Sequence, residues 1–135
     1  MRVVITGGAG FLGRLLAKRL LDCGELTDAS GTPRAIDELV LVDQVAAEGE
    51  TWLSDRRVSQ VTGDIAERTV LARAITPNAA SIFHLAAVVS GQAEADFDIG
   101  MRVNVDATRT LLELARGLPS APKFVFTSSI AVFGG

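Results

Sequence analysis

The chain is poor in several reactive residue types: its 135 residues include one cysteine, one histidine, one tryptophan and no tyrosine. A single cysteine, Cys23, excludes an intrachain disulfide and any metal site built on several thiolates. A small residue packed late in a helix is the simplest reading of it. Positive charge is also scarce, with 13 Lys and Arg against 16 Asp and Glu and a formal net charge of -3. No basic run interrupts this balance, so nucleic acid is not an expected partner. No apolar stretch reaches the length that spans a bilayer, and the first residues enter a strand pattern rather than a signal-peptide pattern. A cytoplasmic address with no membrane partner is the expectation. What the chain does have is hydrophobic content, 48% of its residues, enough for the core of one domain spanning 1–135.

The densest signal lies at the start, in RVVITGGAGFLG. Val3, Val4 and Ile5 form a continuous apolar run of the kind buried on both faces of a parallel sheet. A glycine-rich turn follows, in which Gly7, Gly10 and Gly13 stand three apart and Gly8, Gly10 and Gly13 satisfy GxGxxG. Such glycines permit a tight turn, close backbone approach to phosphates and close packing of helix on strand. Phe11, Leu12, Leu15, Leu16, Leu20 and Leu21 then recur at helical spacing. Strand, glycine turn and helix in this order predict a dinucleotide pyrophosphate site at the helix N-terminus.

Strand and helix patterns alternate through the rest of the chain, which predicts an α/β fold, a Rossmann-type doubly wound parallel sheet of about five strands. Strands are expected at 2–6, 38–43, 58–62, 81–86 and 123–127. The longest helix is expected at about 95–116, after a polar SGQAEAD segment. Between the first helix and second strand, LTDASGTPRAIDE reads as a surface insertion.

Several polar residues fall where this fold binds ligands. Asp43 ends the strand LVLVD, where a carboxylate can accept both hydroxyl protons of an adenosine ribose. It lies 30 positions past Gly13, beyond the usual spacing of about 20, and the insertion accounts for the excess. A 2′-phosphate would meet like charge there, which favours NAD over NADP. Asp64, in VTGDIAE, can hydrogen-bond the adenine amino group while Ile65 packs on the ring, or can simply cap a turn. Ala86 and Ala87 are small enough to let a cofactor lie against the backbone. His84 reads as a packed core histidine rather than an acid or base. Thr127, Ser128 and Ser129 follow the last strand at the ligand-binding edge, where they can hold a substrate oxygen or cap a turn. No GxSxG elbow surrounds them, so a hydrolase nucleophile is disfavoured.

TGGAGFLG, LVLVD, GDI, HLAA, the asparagine of MRVNVDATR and FTSSIAVFG occur in an order that resembles the extended short-chain dehydrogenase/reductase family, the NAD-dependent epimerases and dehydratases. HLAAVVSGQAEADFDIGMRVN and the insertion look most like its D-erythronate dehydrogenase branch, often labelled nucleoside-diphosphate-sugar epimerases. The resemblance implies that Gly7, Gly10 and Gly13 surround the pyrophosphate of NAD, with Phe11 and Leu12 donating amides. It further implies that Asp43 holds the ribose, that Asp64 and Ile65 frame the adenine, and that Leu85, Ala86, Ala87 and Asn104 border the cofactor. Ser129 would be the catalytic hydroxyl, with Ser90 and Gln92 as further substrate contacts. The substrate would be a small acid sugar, D-erythronate-like and oxidised at C2, or a sugar nucleotide in a 4-epimerase or dehydratase. A homodimer of the full-length parent through the long helix is implied as well.

One departure stands out. The family pattern uses a tyrosine as base and a lysine four residues on to lower its pKa, and this chain contains no tyrosine. The YxxxK helix, the sixth strand and the substrate domain are therefore expected beyond Gly135, and the 135 residues alone are expected to be inactive. A nonenzymatic NAD-binding module and an inactive fragment are the alternatives of another class.

Overall fold

A computed structural model describes residues 1–133 of the chain. Five parallel strands form its sheet in the order β5-β4-β1-β6-β7: β1 (Arg2–Thr6), β4 (Glu38–Asp43), β5 (Val58–Thr62), β6 (Ala79–His84) and β7 (Lys123–Phe126). The chain runs outward from β1 to β5, then returns to the other side of β1 for β6 and β7. That reversal places a crevice at the carboxyl ends of β1 and β6, the position where doubly wound sheets bind ligands.

Alternate side chains of each strand serve opposite layers. Val3 and Ile5, with Leu39 and Leu41, pack under Ala17, Leu20 and Leu21 of helix α1 (Phe11–Cys23). Val4, Val40, Val42 and Ile82 face helices α2 (Arg68–Ala74) and α5 (Ala107–Arg116) through Leu71, Ala107 and Leu111. Val3, Val4 and Ile5 are wholly buried, as a strand central in such a sheet requires. The doubly wound parallel fold expected from the sequence is the one observed.

The local differences have physical causes. Residues 26–38 do not form a featureless insertion: β2 (Glu25–Thr27) and β3 (Pro33–Ala35) pair as an antiparallel hairpin. Its turn is closed by Asp28, whose carboxylate accepts from the Ser30 and Thr32 amides. The strand expected at 81–86 begins two residues earlier, because a register irregularity between Arg2 and Val3 admits an extra residue of β6. The SGQAEAD segment is itself helical, α3 (Ser90–Ala95), separated from α4 (Phe97–Gly100) by Asp96, whose side chain caps the Ile99 amide. From α4 the chain continues through a π-helical turn, Met101–Asp106, into α5. In that turn the Ala107 amide bonds back five residues to the Arg102 carbonyl, so the long helix is widened at its centre.

Candidate functional site

The turn between β1 and α1 is fixed from below and left open above. Gly7 sits at φ +73, and its amide and that of Gly8 both donate to the Val42 carbonyl, at 2.9 and 3.2 Å. A side chain on Gly7 would strike the backbone of Leu85 and Ala86, and one on Gly8 would strike Leu41. A Cβ on Gly13 would overlap the Gly7 carbonyl oxygen. These three glycines let the turn nest between β4, β6 and α1. Gly10 is different. Its φ is -72, open to any residue, and a Cβ there would approach only the Gly7 carbonyl oxygen, at 3.2 Å. A side chain at position 10 would press on that backbone oxygen by a few tenths of an ångström, a milder demand for glycine than at the other three positions, and a ligand backed against the turn would add to it.

Helix α1 begins at this turn with no side-chain cap and no acidic residue in its first turn. Its leading amides have no carbonyl one turn back to bond, so they remain available to an anion. Asp43 stands beside them at the end of β4. Its carboxylate accepts from the Ala9 amide at 2.9 Å and from the Gln44 amide at 2.7 Å, which ties the glycine turn to the β4 exit. Arg14 makes a second tie, donating from Nε to the Ala9 carbonyl at 2.8 Å and from a terminal nitrogen to the Glu48 carbonyl at 3.1 Å. Its guanidinium thus holds the two loops together from the α1 side.

A cavity of about 480 Å3 opens over the crevice. Its wall brings together Gly7, Gly10, Phe11, Leu12, Gly13, Asp43, Ile65, Leu85, Ala86, Ala87 and Gln92 from among the residues expected by sequence. Gln44, Val88, Ile99 and Val103 complete it. The last two sit four apart on the helical run, a spacing that could have marked them as one face of it.

Four expected residues stand elsewhere among the described residues. Asp64 caps the Ala66 amide and pairs with Arg102 across 3.0 Å, so its carboxylate bridges the β5 exit to the π-helical turn. Of the two sequence readings, turn capping is the one these bonds display. Asn104 does not face the cavity. Its side chain accepts from the Val88 amide at 2.8 Å and donates to the Val88 carbonyl at 2.9 Å, clamping the lining loop from behind. Ser90 opens α3, and Ser129 lies exposed between β7 and the 3-10 turn Ile130–Phe133. Just before it, Thr127 anchors the β7 exit by donating its amide and hydroxyl to the His84 carbonyl.

His84 is buried at 1% exposure, with Phe124 and Phe126 tilted against it. Burial lowers its pKa from 6.5 to about 4, so the ring is neutral at pH 7. It belongs to the core, as the sequence suggests. No cluster of metal-ligating side chains occurs among the described residues, and no described helix is long and apolar enough to cross a membrane.

Known proteins share this arrangement over the full chain. D-erythronate dehydrogenase of Cupriavidus necator is 57% identical across 100% of this chain, which covers 40% of that relative's length. A solved nucleoside-diphosphate-sugar epimerase of Agrobacterium tumefaciens superposes with a TM-score of 0.80 at 39% identity, covering 100% of this chain and 39% of that one. A mutant uronate dehydrogenase of Agrobacterium tumefaciens, solved in complex with NAD, superposes at 0.71 with 25% identity, over 95% of this chain and 40% of that one. The chain thus spans about 40% of the length of such relatives. The family model for the 3-beta hydroxysteroid dehydrogenase/isomerase family matches residues 4–135, and the chain belongs to that family.

Proposed function

We propose that the chain is the NAD-binding portion of an oxidoreductase that oxidises a hydroxyl of a small acid sugar, D-erythronate or a close analogue, at C2. The observation that carries this reading is the cavity wall, which gathers the glycine turn, the strand-end carboxylate and small residues on one site. The 57% identity to a D-erythronate dehydrogenase supports the substrate class.

NAD, when bound, supplies the hydride acceptor. The chain's own residues do the rest of the holding. Amides of Phe11 and Leu12 receive the pyrophosphate, and the absence of a Cβ at Gly10 lets it approach the backbone. The Asp43 carboxylate, already oriented by the Ala9 and Gln44 amides, accepts from the ribose hydroxyls and repels a 2′-phosphate. Ile65 packs on the adenine. Leu85, Ala86 and Ala87 guide the cofactor toward the β6–β7 edge, where Ser129 polarises the reacting hydroxyl and Gln92 and Ser90 contact the acid sugar. No tyrosine is present to take the proton, so these 135 residues by themselves do not complete a turnover.

The test compares this chain with a longer product of the same reading frame. Calorimetry is expected to show NAD binding to the 135-residue chain with preference over NADP and no turnover. The longer product is expected to reduce NAD when given D-erythronate. Failure with D-erythronate and other four-carbon acid sugars would overturn the substrate. A sugar-nucleotide 4-epimerase is the second reading, favoured by the 0.80 superposition on an epimerase. Turnover of a UDP-sugar with retained NAD and no net reduction would select it.

A further inference from the structure

The three residues 86–88 line the cavity between β6 and α3, and polar bonds hold both ends of this tripeptide. At one end the Ala86 amide donates to the Thr6 hydroxyl, a long bond at 3.4 Å. At the other, Asn104 grips both the amide and the carbonyl of Val88. These two anchors are linked to each other through the interior. The Thr108 hydroxyl donates to the Asn104 carbonyl at 2.7 Å. It has one hydrogen, so toward His84 Nε2, 2.8 Å away, it must accept. Nε2 therefore carries the imidazole hydrogen, and Nδ1 accepts from the Thr6 hydroxyl at 2.6 Å. Thr6 in turn receives the Ala86 amide. The bonds close into a ring: Val88, Asn104, Thr108, His84, Thr6, Ala86.

From the Ala86 amide to the Asn104 carbonyl each donor finds an acceptor in one direction, the Asn104 amide closes on Val88 by a reciprocal pair, and Thr6 and His84 are buried to 0% and 1% exposure. Such a network is costly to leave half-made, because a buried group that loses its partner recovers nothing from water. The π-helical turn contributes by carrying Asn104, with Thr108 one turn on at the start of α5. We propose that His84, Thr6 and Thr108 are positioning residues that set the path of residues 86–88 and so the width of the cavity floor. None of the three lines the cavity among the described residues. They act on its shape from within the core.

The consequence for cofactor affinity rests on the NAD reading above, whereas the ring itself does not. Thr108→Val and Thr108→Ser in the full chain separate the two. The valine variant keeps the branched shape but cannot accept from Nε2 or donate to Asn104. The serine variant keeps the hydroxyl.

Amide hydrogen exchange at Ala86 and Val88, measured without ligand, is expected to speed up about tenfold in T108V, which loses both Thr108 hydroxyl bonds, and to return to the parental rate in T108S. The dissociation constant for NAD is expected to rise by about the same factor in T108V, and T108S is expected to restore it. A T6V/T108V double variant should weaken NAD no more than the worse single one, since both cut the same ring. Parental exchange at Ala86 and Val88 in T108V overturns the ring. Faster exchange with an unchanged NAD constant overturns its control of the cavity. An unsubstituted chain that takes up no NAD overturns the cofactor reading, and the exchange rates then still decide the ring.

Discussion

Gly10 and Gly13 occupy the same three-residue rhythm, yet the structure asks different things of them. A methyl at position 13 collides with the Gly7 carbonyl and the Gly8 Cα, both backbone, which cannot yield without moving the turn. Gly13→Ala is expected to cost about 1 to 3 kcal/mol of stability, seen as a lower midpoint in denaturant. Gly10→Ala, whose methyl would meet only the Gly7 oxygen at 3.2 Å, is expected to lower the midpoint less than Gly13→Ala and to weaken NAD by at least about tenfold, measured by calorimetry. Equal loss of stability in both would show that position 10 is structural too. His84 allows a second residue-scale prediction. Its folded pKa, about 4, lies below the ordinary 6.5 because burial disfavours the charged ring, so between these values the unfolded chain binds the extra proton. Stability is therefore full above pH 6.5 and falls as pH drops toward 4, by up to about 3 kcal/mol at about 1.36 kcal/mol per pKa unit. Asp28, Asp37 and Asp55, stabilised as carboxylates by hydrogen bonds and neighbouring cations, lend stability above their ordinary 3.8 and lose it as pH falls through that value, and Glu113, paired with Arg109 and Arg68, loses its share as pH falls through 4.5. The fall from 6.5 to about 5.5, a full unit above the ordinary Glu113 value, thus belongs to His84 among these groups. Denaturant midpoints measured across it should slope in the parent and lie flat in His84→Gln.

At the scale of elements, the widened helix presents an apolar stripe outward. Met101, Val105 and Leu112 are 41%, 47% and 47% exposed, spaced by four and seven residues along one helical face. Such a stripe suits a second copy of the same helical run, and we propose the run 101–116, the π turn with α5, as the dimer contact. Val105→Glu with Leu112→Glu is expected to abolish a closed dimer in sedimentation without lowering helix content. A dimer that survives both charges places the contact elsewhere. The long helix also shows where sequence reading reached its limit. Its apolar spacing fixes a helical run, and the run is there, but the π turn depends on how Asn104 and Thr108 meet β6 from across the fold. Strands β1, β4 and β5 were legible to the residue because continuous apolar runs with punctuated ends admit one reading. The hairpin β2–β3 was not, since Glu25 and Pro33 are disfavoured in strands and the three-residue strands pair because Asp28 closes their turn. In the site, the contiguous motif was readable and the long-range partners were not. Nothing local to Asp64 or Arg14 announces Arg102 or the Glu48 carbonyl.

At the scale of the whole molecule, the sheet has two edges of unequal character. On β5 the chain offers Ser59, Gln60 and Thr62 to solvent, polar residues that discourage pairing. The β7 edge is apolar. Val125 and Phe126 are 45% and 53% exposed, and Ile130 and Phe133 beyond it 90% and 87%. An unpaired strand edge flanked by large apolar side chains is a template for further strands. The 135-residue chain on its own is therefore expected to self-associate through β7. Edge pairing and α5 pairing predict different growth. A helix face shared about a two-fold axis closes at two copies, whereas β7 joining a different surface on the next molecule is heterologous and continues. Light scattering over a range of concentrations should show a mass that keeps rising past the dimer. Phe126→Lys, which puts a charge on the edge, should stop the growth at two copies and leave the α5 dimer. Val105→Glu with Leu112→Glu should do the reverse, removing the dimer step while growth through β7 persists. A monodisperse monomer of the unsubstituted chain would sink both contacts, and growth that ignores Phe126→Lys would move the association away from the sheet edge.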